Sequence, residues 1–248
     1  MSNPNLGEKL VLQRRAELAI NAMTQCLDPK LDYRQYFYVV YEDPPKMHHD
    51  FWDFGDGSGR FVDGLALARL MTGSRKDLEI DAKVRDFMLS LIGQDGLTWI
   101  PEGADFASAD MDVIGKGGSG SPAVAEMWSQ RSTMLGLVDW YLAEDDSTPR
   151  QYIDRMIAGL WKIAVKEKDY CYYPASQYYA TGWKRKGRPE PGVATWNSGL
   201  IFPLVRYWEA TKSPEALKLA KGLINYLVYQ SKDFGPDGRS SRQVRWST

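Results

Sequence analysis

The sequence predicts an all-α fold built from stacked helical hairpins. Three observations predict it: apolar residues recur at helical spacing along most of the chain, the connections between these segments alternate between short and long, and two of the hairpins repeat each other. The helical segments run over about 6–27, 59–72, 76–92, 125–143, 149–167, 197–211 and 214–231. The first stands alone. A long connection, 28–58, follows it, and its tract YFYVVY at 36–41 is the one strong β-like run. The next two segments are joined by MTGSRKD, the fourth and fifth by AEDDSTPR, and the last two by EATKSPEA. Each short turn offers a Ser or Thr for a helix N-cap, and Pro149 and Pro214 suit a first helical turn. Between the hairpins lie 93–124 and 168–196, rich in Gly, Pro, Asp and aromatic residues.

Aligning the short turns exposes the repeat. Thr72 matches Thr211, Ser74 matches Ser213, Leu78 matches Leu217 and Phe87 matches Tyr226, all at a separation of 139 residues. The middle hairpin, centred on Ser147, falls halfway, so the repeat unit is one helix pair with one long loop. Helix pairs of this kind bury their faces only by stacking on neighbours. Long aromatic loops gathered at one end favour a closed ring over an open solenoid, because loops of that length in a compact domain are usually functional.

The hairpins ALARLMTGSRKDLEIDAKVRDFMLSL and PLVRYWEATKSPEALKLAKGLINYLVYQ, with the aromatic and acidic opening HDFWDFGDGSGR, carry a resemblance that covers nearly the whole chain. The sequence resembles the α/α-toroid carbohydrate-active enzymes, whose six hairpins form an inner and an outer ring, and which include the unsaturated glucuronyl hydrolases. The resemblance implies an (α/α)6-like toroid. Three hairpins and a leading helix make about half of such a ring, so residues 1–248 are expected to be a single domain, the N-terminal portion of a toroid truncated at its C-terminus. The uncovered edge helices of a half ring imply self-association.

Composition excludes several other classes. The 31 basic and 32 acidic residues nearly cancel, which leaves no field to draw nucleic acid or an anionic membrane. Cys26 and Cys171 have no cysteine at ligand spacing, so a zinc-dependent arabinofuranosidase of this fold is not expected. His48 and His49 are adjacent and do not converge on one metal; hydrogen bonding to substrate or backbone is their expected role, and neither a metal nor a cofactor is expected. The N-terminal run Leu10 to Leu12 is too short for a signal peptide and no segment has the length of a membrane span, so a cytoplasmic protein is expected. Aromatic content of 12%, with 9 Trp and 14 Tyr, exceeds what a helical core needs and points to rings that stack on a ligand.

With 59–72, 125–143 and 197–211 as inner helices, the long loops meet over the mouth of the ring. Asp53, Asp56 and Glu126 are the candidate catalytic carboxylates, since glycosidic cleavage needs one acid and one nucleophile or base. The same rim gains His49, Trp52, Arg60, Asp63, Trp128, Gln130, Arg131, Trp196 and Asn197 as candidate substrate-binding residues. Amides, guanidiniums and indoles suit sugar hydroxyls and ring faces. The competing expectation is structural: Asp53 or Asp56 capping a helix, Asp63 paired with Arg60 or a neighbouring helix, and the tryptophans packed between helices. GKGGSGSP at 115–122 lacks the order of a phosphate-binding loop and reads as a linker or lid. GWKRKGRPEP at 182–191 reads as a solvated basic loop, and CYYPASQYY as a surface packed across the mouth. The function expected is a glycoside hydrolase acting on an oligosaccharide or glycoside. The alternatives are a polysaccharide lyase or sugar epimerase on the same fold, or a non-catalytic helical scaffold.

Overall fold

The computed structural model describes residues 12–106, 118, 120–144, 146–184 and 193–231. Residues 115–117 and 119 of the 115–122 tract and residues 185–191 of the basic loop lie outside these. The leading helix is α1 (Leu12–Gln25), and three hairpins follow: α2 (Asp56–Thr72) with α3 (Leu78–Ser90), α4 (Met127–Ala143) with α5 (Thr148–Ile163), and α6 (Val193–Gly199) and α7 (Ile201–Thr211) with α8 (Pro214–Tyr229). The helix expected over 197–211 is interrupted at Leu200, and its first part begins four residues early.

α2, α4 and α7 lie side by side as an inner row, with α1 and α3 on α2, α5 on α4 and α8 on α7. The core fills the space between the rows, where Met134, Leu137, Ile153, Met156, Leu160, Leu204, Leu219 and Leu223 are wholly buried. Exposed apolar residues remain at both ends of the arrangement, Leu12 and Leu18 on α1, and Phe202, Ile224, Val228 and Tyr229 on α7 and α8. No helix among the described residues is long and apolar enough to cross a membrane.

The repeat seen in sequence is preserved in hydrogen bonds. Thr72 Oγ1 donates to the Ala68 carbonyl at 2.8 Å and accepts from the Ser74 N–H at 3.1 Å; Thr211 Oγ1 donates to the Tyr207 carbonyl at 2.7 Å and accepts from the Ser213 N–H at 3.3 Å. Both helices end on a left-handed residue, Gly73 or Lys212, and the first turn has a second one at Asp77. The caps then diverge. Ser213 caps α8 by accepting from the Ala216 N–H, whereas α3 begins after Asp77 and Ser74 lies outside it.

The long connections hold more β structure than the sequence suggested. β1 (Leu27–Asp28) pairs with β2 (Arg34–Gln35), and β3 (Tyr38–Val40) with β4 (Lys46–His48), all antiparallel. β5 (Ala125–Glu126) joins β8 (Gln177–Tyr179) and β9 (Gly182–Trp183) in one sheet, and β6 (Val165–Lys166) pairs with β7 (Cys171–Tyr172). Residues 165–166 and 125–126, expected to be helical, are therefore strand. Strands of two or three residues carry no alternation for a sequence to show; they form because backbone groups held against the helix ends must find partners.

The tyrosines of CYYPASQYY divide between two places. Tyr172 stacks on Tyr226 of α8 at 4.5 Å, while Tyr173 is wholly buried and donates its hydroxyl to the Leu160 carbonyl.

The inner row packs tightly because its closest crossing is glycine-lined. A Cβ on Gly59 would run into the backbone of Ser132 and Thr133, and one on Gly136 into the Gly59 carbonyl. Gly59→Ala is expected to lower the unfolding free energy by about 1–3 kcal/mol, because backbone cannot yield as a side chain can. Gly64→Ala, where only the flexible Met23 thioether stands in the way, should be neutral or stabilising. Equal urea midpoints for the two variants would show that the crossing is not close packed.

Candidate functional site

The stretch from His49 to Gly64 builds the rim in two steps. Asp50 caps the short 3₁₀ turn Phe51–Asp53, and Asp53 closes a capping box by accepting from the Asp50 N–H at 3.1 Å. Gly55, at φ 86°, then swings the chain into α2, with its N–H bonded to Ser58 Oγ. Asp56 enters the first turn of α2 and meets Arg60 one turn on.

Asp53 faces back into its own loop. Its carboxylate lies 2.7 Å from His49 Nδ1 and 3.9 Å from Arg34 Nε, and is fully buried. His49 Nε2 is 3.4 Å from Asp28, which also accepts from the Tyr36 hydroxyl, and the imidazole stacks on Tyr36 at 4.3 Å. Burial pushes Asp53 up to about 8 and pulls His49 down, so both lean to their neutral forms. Trp52 is half-buried against Phe51 and Phe37.

Asp56 is the hub of the inner row at this end. Its Oδ1 accepts from Arg60 Nε at 3.1 Å, from Arg131 Nη2 at 3.2 Å and from the Ser132 hydroxyl. The Arg131 guanidinium lies over the Trp128 ring, 4.5 Å from its centre. Glu126 is the N-cap of α4: it accepts from the Ser129 N–H at 3.0 Å and is wholly buried. Burial, joined by the nearby Asp56 charge and opposed by those backbone bonds, raises it to about 8.

Gln130 and Asn197 face the loops that precede their helices. Gln130 accepts from the Thr98 N–H at 2.9 Å and donates to the Thr98 carbonyl at 2.6 Å; Asn197 does the same to Tyr173, at 2.8 and 3.1 Å. Each amide thus holds a long loop as another strand would. Trp196 packs against Tyr226 and Leu227, with its indole N–H buried and unpartnered among the described residues.

Asp63 meets a carboxylate that the sequence did not single out. It faces Asp139 of α4, which pairs with Arg206 of α7, so one cluster ties all three inner helices. Burial, and then the Asp139 hydrogen bond and charge, raise Asp63 to about 7, against the pull of Arg206 and Arg60. Of the two partners expected for Asp63, Arg60 or a neighbouring helix, it is the neighbouring helix α4 that it faces, and Arg60 turns to Asp56. The signal for Asp139 and Arg206 was a lone charge inside each apolar helix, VDWYL and PLVRYW, legible only once both were known to be flanked by helices.

The structure therefore brings Asp56, Arg60, Arg131 and Trp128 together at the N-terminal ends of α2 and α4. It places Asp53 and His49 in a separate loop network. Among the described residues no group of three His, Cys, Asp or Glu could hold a metal ion.

No protein-family model and no curated protein matches this chain. Solved structures do. A D-mannose isomerase superposes with a TM-score of 0.61 at 18% identity, over 94% of this chain and 56% of that one. A cellobiose 2-epimerase from Spirochaeta thermophila gives 0.55 at 12% identity, over 94% and 60%. A sugar epimerase from a ruminal bacterium gives 0.56 at 11%, over 92% and 57%. These neighbours are α/α-toroid carbohydrate-processing enzymes, and at such identities the likeness is one of fold. The chain spans between 56% and 60% of the length of each.

Proposed function

We propose that this chain belongs to a sugar isomerase or epimerase rather than a glycoside hydrolase. The observation that carries the reading is the pair of guanidiniums, Arg60 and Arg131, fastened to one carboxylate beside Trp128. Hydrolysis needs two carboxyl groups free to face a glycosidic bond. Here Asp53 is bound into its loop, Glu126 caps a helix and Asp56 is engaged by three donors. Isomerisation asks for something else: removal of a proton beside a carbonyl and stabilisation of the negative charge that develops on its oxygen.

A sugar carbonyl set against Arg60 and Arg131 meets donors for that oxygen, with Trp128 beside the ring. Asp63, one turn along α2 from Arg60 and raised to about 7, has a pKa suited to taking and returning the proton. Return to the same carbon after the enediolate has turned its other face to Asp63 gives the epimer; return to the former carbonyl carbon gives the isomer. The three neighbouring folds, titled as a D-mannose isomerase, a cellobiose 2-epimerase and a sugar epimerase, support this choice.

The test is to incubate the protein with mannose, glucose and cellobiose in deuterated water and follow C1 and C2 by NMR. Deuterium at C2 of a new epimer or at C1 of a new ketose is expected, and aryl glycosides should stay intact. Release of the aryl alcohol without exchange would return the assignment to a hydrolase, with Asp56 and Glu126 as its carboxyls. No exchange with any sugar overturns the proposal.

A further inference from the structure

We propose that the sugar bound at this rim carries an anionic group, a carboxylate or a phosphate, gripped by Arg60 and Arg131. The inference rests on the sugar-binding reading above and adds the substrate class. Two guanidiniums converge on the single Oδ1 of Asp56, which also takes the Ser132 hydroxyl. One carboxylate neutralises one of them.

The remaining donors are available. Arg60 spends only its Nε on the protein among the described residues, and its side chain is 54% exposed. Arg131 spends only Nη2, on Asp56 and on Ser132 Oγ at 3.1 Å, and its plane is held by Trp128. A guanidinium with its outer edge open is shaped for two-point contact with a carboxylate or phosphate.

The other charged groups of the inner row leave this surplus standing. Arg206 is matched by Asp139. Asp63 faces Asp139, and Glu126 is buried and holds a proton to about pH 8. A neutral sugar would leave one guanidinium uncompensated, whereas an anionic sugar completes the charge and keeps Trp128 for its ring.

Binding is measured by calorimetry on the full chain with glucose, glucuronate, glucose 6-phosphate and inorganic phosphate. At least one anionic sugar should bind about 10–100-fold tighter than glucose, the ratio expected for hydrogen bonds to a charged group. Whether glucuronate or glucose 6-phosphate shows the gain identifies the anion. Arg60→Gln should remove the preference for the anionic sugar over glucose, and Arg131→Lys, which keeps the charge but not the fork, should remove most of it. Circular dichroism on both variants confirms that they fold.

Glucose binding as tightly as both anionic sugars overturns this inference and leaves the isomerase or epimerase reading intact. Inorganic phosphate binding as tightly as glucose 6-phosphate overturns it too, since the site would then read an anion without a sugar. Binding of no sugar at all overturns both.

Discussion

Asp81→Ala is expected to cost this protein about 3–5 kcal/mol of unfolding free energy. Asp81 of α3 and Arg69 of α2 form a two-point ion pair, Nη2 to Oδ1 at 2.7 Å and Nε to Oδ2 at 2.9 Å. Both side chains are buried, and the same guanidinium donates to the Ser74 carbonyl in the turn. Removing the carboxylate strands a guanidinium between two helices with no water to replace it. The pair itself contributes less than this loss, because burying two charges is expensive from the outset. The double variant Arg69→Met with Asp81→Leu should therefore recover most of the stability. Urea unfolding of the three proteins checks the expectation; a double variant as unstable as Asp81→Ala would mean that the turn, not the charge, is what matters.

Glu126→Gln is expected to make the protein more resistant to rising pH. Glu126 is raised from an ordinary 4.5 to about 8 by burial, so the native state keeps a proton that the unfolded chain releases. The sign follows: this contribution to stability is whole below about pH 4.5, falls as pH climbs, and is gone above about pH 8. The slope for one such proton approaches about 1.4 kcal/mol per pH unit. Glutamine can still accept from the Ser129 N–H but does not titrate. The stability of the variant minus that of the parent should thus grow steadily from pH 5 to pH 8 and level off beyond. Asp53, raised to about 8, and Asp63, raised to about 7, add slope of the same sign to the parent but cancel in this difference. A difference that stays flat across the range would show that Glu126 is charged in the folded protein.

The helices and their order were legible because their causes are local. A 3.6-residue period of apolar side chains needs no knowledge of what it packs against, and Thr72–Ser74 and Thr211–Ser213 form their hydrogen bonds within two to four residues of themselves. The concentration of Asp, Gly and aromatic residues from His49 to Gly64 likewise marked the start of an inner helix. At that helix start Asp56, Arg60, Arg131 and Trp128 meet.

What each polar side chain does there was not local. Gln130 binds Thr98 and Asn197 binds Tyr173 across loops of 32 and 24 residues, and Asp56 meets Arg131 across 75. Asp139 of α4 likewise finds Arg206 of α7, on a different hairpin. The sequence by itself determined a mostly helical repeat of hairpins, since helix periodicity and turn chemistry act over a few residues. Only the tertiary structure decided which carboxylates are capped, paired or left to hold a proton. Burial and charge pairing depend on neighbours that are remote in the chain, and they set whether an aspartate is a strut or a reagent.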